Sequence, residues 1–186
     1  MLAAKKKPLF YGRRVTREEY LDLPDDGFDY RMSKGILRFE RPSGTPEHGR
    51  SYGRFFRFLD QYLDKNPLGE LTQETDVLLP DGGDVIRPDL SFVLNENRSI
   101  LLKHIHGTPD LICEALSDGT AKRDLGEKAD RYLQCGVREY WIVDPLDKSM
   151  QLWVNINKRE WKKTNGALLE SKLLPGLEIE VAKFWR

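Results

Sequence analysis

Two carboxylates stand where apolar strands would not carry them without a use. Asp89 heads the run Arg87-Pro88-Asp89-Leu90-Ser91-Phe92-Val93, and Glu114 lies inside Asp110-Leu111-Ile112-Cys113-Glu114-Ala115-Leu116. An ionised carboxylate buried among aliphatic side chains is costly unless it is paired or ligates a metal, so Glu114 requires a partner. If the two strands are neighbours, Asp89 and Glu114 converge on one face and can hold a hard cation through oxygen, with water completing the shell. Asp110 shares a face with Glu114, but four residues of strand at about 3.3 Å each put them roughly 13 Å apart. That is too far for both to ligate one ion directly, which makes Asp110 the weaker candidate.

Lys128 follows Asp124 by four residues. Alone, that spacing reads as a surface ion pair worth a few tenths of a kcal/mol. Beside a paired-carboxylate site, the same ammonium can orient an attacking water and neutralise charge growing on a phosphoryl group, and this context favours the chemical role. Other candidates carry less. Asp81 and Asp84 belong to Pro80-Asp81-Gly82-Gly83-Asp84, which reads as a solvated turn. His104 and His106 alternate near a strand start with no cysteine or further ligand, a weak zinc signal. Arg50, Arg54 and Arg57 share a helical face, and Lys122 and Arg123 open a later helix. They suit sequence-independent, salt-sensitive phosphate contacts, or else form a solvated charged face.

The elements that position these residues follow from periodicity and punctuation. Thr16 with Glu19 forms a capping box before a short helix over about 17–23. Phe28 to Met32 and Ile36 to Glu40 alternate around Ser33-Lys34-Gly35, a hairpin whose glycine supplies positive φ. Thr45-Pro46 opens a long helix in which Tyr52, Phe55, Phe56, Leu59 and Leu63 recur at helical spacing. Glu47 and His48 either begin that helix, where an acid suits the dipole, or reach the site from it.

Three extended runs come next: Glu74 to Leu79, Arg87 to Leu94, and Asp110 to Leu116. Thr120 to Cys135 is helical, with Leu125, Ala129, Tyr132 and Leu133 as its apolar stripe and Gly136 as its cap. Gly126 weakens it by about 1 kcal/mol relative to alanine. Val137 to Val143 is a strand, and Met150 to Val181 reads as a meander with turns at Asn165-Gly166 and Pro175-Gly176. A mixed sheet between two helices buries all these faces.

A chain of 186 residues suits one domain over 1–186. Thirty basic and thirty acidic residues cancel, which counts mildly against a binder of polyanions, although a basic rim around an acidic centre gives the same total. Cys113 and Cys135 sit in apolar contexts and are expected as free thiols of a reduced, cytoplasmic protein. Met1 to Lys7 carries three lysines with no apolar stretch after them, and no window approaches the ~20 apolar residues of a membrane span.

The segments Arg87-Pro88-Asp89, Pro109-Asp110-Leu111, Glu114-Ala115-Leu116-Ser117, Lys128-Ala129-Asp130-Arg131-Tyr132 and Gly136-Val137-Arg138-Glu139-Tyr140-Trp141-Ile142-Val143-Asp144-Pro145 together resemble the Uma-two family. That family is a branch of the PD-(D/E)XK restriction-endonuclease-like superfamily. The likeness extends to Glu47-His48 and to Leu174-Pro175-Gly176-Leu177. It implies an α/β fold with an αβββαβ core, a mixed central sheet flanked by helices, an N-terminal hairpin and a C-terminal β-meander.

It further implies Asp89 and Glu114 as metal ligands. The superfamily's lysine two positions after the second acid is replaced here by Leu116, and in families of this type it has moved to the following helix, which points to Lys128. At the first hairpin, Arg31 and Ile36 stand where the family often carries acids.

The expectation is therefore a Mg²⁺-dependent endonuclease acting on DNA phosphodiester bonds, with Mn²⁺ as a substitute. Asp89, Glu114 and Lys128 are its catalytic residues, the Ala115 carbonyl adds a ligand, and Arg50, Arg54 and Lys122 contact nucleic acid. A homodimer would suit a double-strand cut. The rival is a non-catalytic domain of the same fold that binds nucleic acid or protein.

Overall fold

A computed structural model describes residues 8–39, 45–81 and 83–186. Met1 to Lys7, Glu40 and Gly82 lie outside them. The capping box forms as expected: the Thr16 hydroxyl accepts from the Glu19 amide and the Glu19 carboxylate from the Thr16 amide, opening α1 (Arg17–Leu21). β1 (Tyr30–Ser33) and β2 (Ile36–Phe39) make the hairpin, with Tyr30 opposite Phe39 and Arg31 opposite Arg38. Both Lys34 and Gly35 take positive φ at its turn.

Thr45 caps α2 (Pro46–Leu63), whose Phe55 and Leu59 are fully buried. Then follow β3 (Gly69–Gln73), β4 (Val77–Leu78), β5 (Val85–Ile86) and β6 (Leu90–Leu94). A 3₁₀ segment (Asn95–Ile100) leads to β7 (Ile105–His106) and β8 (Leu111–Ala115). The helix beyond comes in three parts: α3 (Ala121–Arg123), a π-helical turn (Asp124–Lys128) and α4 (Ala129–Cys135). Gly136, at φ +94°, ends it. β9 (Glu139–Asp144), β10 (Ser149–Ile156), β11 (Glu160–Asn165), β12 (Leu168–Glu170), β13 (Glu178–Glu180) and α5 (Val181–Phe184) complete the chain.

The main sheet has the order β11-β10-β9-β8-β6-β3, with β8 and β9 parallel and the other pairs antiparallel. Side-chain alternation divides its two faces. Leu90, Phe92, Leu111, Cys113, Trp141 and Val143 pack with Phe55 and Leu59 of α2. Ile112, Tyr140 and Ile142 pack with Ala129, Tyr132 and Cys135 of α4. A second sheet, β2-β1-β5-β4-β7, joins the hairpin to the middle of the chain around a smaller core of Tyr20, Met32, Leu37, Leu78 and Val85. The C-terminal meander is not an appendage, because β10 and β11 extend the main sheet. Cys113 and Cys135 are buried free thiols.

Two expectations need correction. The first strand of the core is Gly69–Gln73, not Glu74 to Leu79. Glu74 takes φ +44°, which breaks the strand and sends Val77–Leu78 into the second sheet. β3 was hard to read because it is a half-exposed edge strand that begins on a glycine. That glycine is required by proximity: a Cβ at Gly69 would lie 2.1 Å from the Val93 carbonyl oxygen and 2.7 Å from the Phe92 ring. Gly69→Ala is expected to cost about 1–3 kcal/mol through forced backbone displacement, read as a lower urea midpoint at unchanged slope. A midpoint equal to the parent's would mean that β3 shifts freely.

The stripe of the second helix also differs. Leu125 is exposed, whereas Asp124 and Lys128 are buried at 1% and 9% exposure. The buried face runs through Asp124, Lys128, Tyr132 and Cys135 at ordinary helical spacing, one position away from Leu125. Gly126 sits inside the π-helical turn, and the sheet holds it in place. The Tyr140 hydroxyl donates to the Asp124 carbonyl at 3.0 Å, and Trp161 Nε1 donates to the Ala129 carbonyl at 3.0 Å.

Glu139 anchors the far side. Its Oε1 accepts from the Lys172 and Leu173 amides at 2.5 and 2.9 Å, and its Oε2 from Trp141 Nε1 and the Ser171 hydroxyl at 3.0 and 2.8 Å. A carboxylate 1% exposed is tolerable because all four donors are present. Glu139→Ala strands four donors, three of them buried, and is expected to destabilise the fold by about 3–5 kcal/mol in chemical denaturation. A loss under about 1 kcal/mol would mean that water replaces the carboxylate.

Candidate active site

The register that sets Leu90 opposite Cys113 brings Asp89 beside Glu114 at the edge where β6 begins and β8 ends. Asp89 Oδ2 accepts from the Ala115 amide at 2.7 Å, which ties the two strands together beyond their ladder. His48, in the first turn of α2, places Nε2 3.3 Å from the same Oδ2. The Asp89 hydrogen bond raises the imidazole's pKa, with burial opposing it.

Glu114 is 3% exposed. Its Oε1 accepts from Lys128 Nζ at 2.7 Å and from the Tyr132 hydroxyl at 2.6 Å, two donors one helical turn apart. Lys128 Nζ also lies 3.0 Å from Asp124 Oδ1. Asp124, Lys128 and Tyr132, four residues apart in turn, share the helix face toward the sheet. Leu116, where a lysine would have served, is buried in the apolar core on the α4 side.

Burial lifts the Glu114 carboxyl to about 7, against the pull of Lys128 and with help from Asp124 and Asp89. Burial lowers the Lys128 ammonium, but Glu114 and Asp124 more than offset it, so its pKa rises. One shift favours a neutral acid and the other a charged base. The direction for Lys128 is secure, because two carboxylates lie within 3.0 Å of it. The rise at Glu114 reflects its burial first, with the neighbouring Asp124 and Asp89 carboxylates adding to it. Burial, then Glu114, also holds the Tyr132 phenol well above its usual pKa, so it stays a donor.

The remaining candidates are dispersed. Asp110 accepts from the Leu94 amide at 2.9 Å and from Asn97 Nδ2 at 2.9 Å, anchoring the loop at the other end of β8. Asp84 is not solvated: at 7% exposure it accepts from the Lys34 amide at 2.6 Å and pairs with Arg131, so the hairpin turn is tied to α4. Asp81 is exposed. His104 Nδ1 lies 4.0 Å from Asp76, and His106 is exposed. Arg50, Arg57 and Lys122 are exposed, whereas Arg54 donates to the Phe184 carbonyl at 3.3 Å and so also braces α5.

Among the described residues, no group of three or more His, Cys, Asp or Glu side chains forms a metal site by itself. No described helix is long and apolar enough to cross a membrane.

Sequence reasoning did not single out Tyr132 or Asp124 for the site. Tyr132 falls on an apolar stripe, where an aromatic reads as core, and its hydroxyl gives no sign of where it points. Glu47-His48 left a signal at the helix start: Glu47 is exposed, but His48 reaches Asp89.

A family model described as "Uma2: Putative restriction endonuclease" matches residues 17–182. Among solved structures, a crystal structure described as "a putative nuclease belonging to DUF820" from Anabaena variabilis matches with a TM-score of 0.74. The match covers 92% of this chain and 97% of that one at 14% identity, a likeness of fold. No curated protein sequence matches.

Proposed function

The chain belongs to the Uma2 family, and from that premise we propose that it is a divalent-metal-dependent endonuclease cutting DNA phosphodiester bonds at Asp89 and Glu114. The observation that carries this reading is the pairing of two carboxylates on adjacent strands, with Lys128 bonded to one of them. The donor set fits Mg²⁺. Hard carboxylate oxygens, the nearby Ala115 carbonyl and water are what that ion takes, and the excess of acid over ammonium is what a divalent charge offsets. When bound, such an ion lowers the pKa of water and stabilises charge on the phosphoryl oxygens.

The protein's own groups do the rest. His48 and the Ala115 amide fix Asp89 through Oδ2, and Lys128 and Tyr132 fix Glu114 through Oε1. The opposite oxygen of each carboxylate is then the one to face a cation. Lys128 keeps its proton between two carboxylates, so it serves as a fixed positive charge for the attacking water and the phosphoryl oxygen rather than as a base. Incubating plasmid and linear duplex with Mg²⁺ or Mn²⁺, against an EDTA control, tests this reading. Metal-dependent cleavage supports it, and binding without cleavage under any divalent ion leaves a non-catalytic nucleic-acid-binding domain.

A further inference from the structure

Among the described residues, six other than glycine take a positive φ: Lys34, Glu74, Asp81, Lys148, Asn157 and Lys158. All but Glu74 lie in connections between strands that pair with each other, where a tight turn calls for that conformation. Glu74 instead joins β3 to β4, which belong to different sheets. Glycine would bend the chain there without the steric cost, so a glutamate at φ +44° needs another reason. Its amide and its carboxylate supply one. The amide donates to the Asp89 carbonyl at 3.2 Å, and Oε1 accepts from the Tyr52 hydroxyl at 3.2 Å.

Tyr52 lies one turn of α2 beyond His48, and the two rings meet edge to face with 5.5 Å between centroids. His48 Nε2 in turn lies 3.3 Å from Asp89 Oδ2. A closed ring of contacts results: it starts at the Asp89 carbonyl, passes through Glu74, Tyr52 and His48, and returns to the Asp89 carboxylate. Burial first, then the Glu74 carboxylate, raises the pKa of the Tyr52 phenol, so it remains a donor. We propose that Glu74 and Tyr52 are positioning residues of the carboxylate site. Glu74 fixes both the Asp89 backbone and the phenol, and Tyr52 fixes the His48 ring that holds the Asp89 carboxylate toward a divalent cation. Carboxylates that ligate metals depend on such outer partners, whose loss weakens metal binding or activity by about 10–100-fold. This deepens the endonuclease reading, on which the identity of the occupant as a cation rests.

Glu74 is exposed and Tyr52→Phe keeps the aromatic ring, so the variants leave the core intact. Mn²⁺ binding to the intact protein is measured by calorimetry for the parent, Tyr52→Phe, Glu74→Ala, Glu74→Gln and the double variant Tyr52→Phe with Glu74→Ala. Thermal unfolding in EDTA is followed alongside. Tyr52→Phe and Glu74→Ala are each expected to weaken binding by about tenfold, at an unfolding temperature close to the parent's. The double variant should lose no more than the weaker-binding single one, because both act through one hydrogen bond. Glu74→Gln keeps an accepting oxygen and should stay within about threefold of the parent. Parent-like affinity in either Tyr52→Phe or Glu74→Ala overturns the proposal and leaves the metal reading intact. A loss in Glu74→Gln equal to that in Glu74→Ala also overturns it, because the carboxylate then acts on the ion by its charge. An affinity loss that comes only with a large fall in unfolding temperature reduces the pair to a structural brace and overturns it as well. A parent that binds no Mn²⁺ removes the metal reading; the ring is then judged by the His48 imidazole nitrogen signals in NMR of the protein in EDTA. Signals that move in both Tyr52→Phe and Glu74→Ala sustain the ring, and unmoved signals overturn it.

Discussion

Asp89→Asn and Glu114→Gln are each expected to reduce cleavage on the order of 10³-fold or more while leaving a folded protein. Each amide keeps the shape of its acid and an oxygen acceptor, so the Ala115 amide, Lys128 and Tyr132 retain a partner. What is lost is one of the two charges that hold the cation. An ion that supplies several kcal/mol of transition-state stabilisation is worth about a thousandfold in rate once its binding fails. Thermal unfolding without metal should change little. Mn²⁺ titration followed by calorimetry should show weakened binding in both variants. Parent-like turnover in either one removes that residue from the site.

Lys128→Met is expected to slow single-turnover cleavage by ~10²-fold or more, the scale for losing one preorganised electrostatic contact. The structure adds a second consequence that a surface lysine would not have. Lys128 and Asp124 are both buried, so deleting the ammonium leaves Glu114 without its counter-charge and Asp124 with only the longer contact to Arg123 at 3.8 Å, and should cost about 3–5 kcal/mol of stability. Folding and chemistry are separated by the double variant Lys128→Met with Asp124→Asn. Removing both charges should restore much of the stability and none of the rate. Affinity for Mn²⁺ should not fall, because deleting a nearby positive charge cannot weaken cation binding by direct electrostatics. A double variant that cleaves at the parent rate would reduce Lys128 to a structural partner of Asp124.

Glu114 stood out in the sequence because a carboxylate inside an apolar strand is an energetic anomaly visible without coordinates, and Asp89 because it heads the neighbouring run; the structure brings the two side by side. Lys128 was legible as a residue but not as a buried one. The buried face runs through Asp124, Lys128, Tyr132 and Cys135, and two charged residues on it do not read as core while the apolar Leu125 beside them does. Asp84 was misread because a glycine-rich turn looks solvated until Arg131 and Lys34 are found beside it. β3 was displaced because the positive φ of Glu74 leaves no mark in the pattern of apolar residues. The first long helix and the hairpin followed the periodicity, and β8 and β9 were legible as short apolar runs because both of their faces are buried.

Two glutamates sit on the parallel strands β8 and β9, both nearly inaccessible, and they differ in valence. Glu139 has two donors on each oxygen and no capacity left; to a divalent ion or a carboxyl-directed reagent it is a closed shell. Glu114 has both donors on Oε1, leaving Oε2 without a donor among the described residues. The fold thereby sorts chemically identical side chains on neighbouring strands into one whose two oxygens are fully engaged and one with both donors on a single oxygen. On the proposed reading, the lone pairs that the backbone and the helix have already occupied settle which of the two glutamates would take a cation.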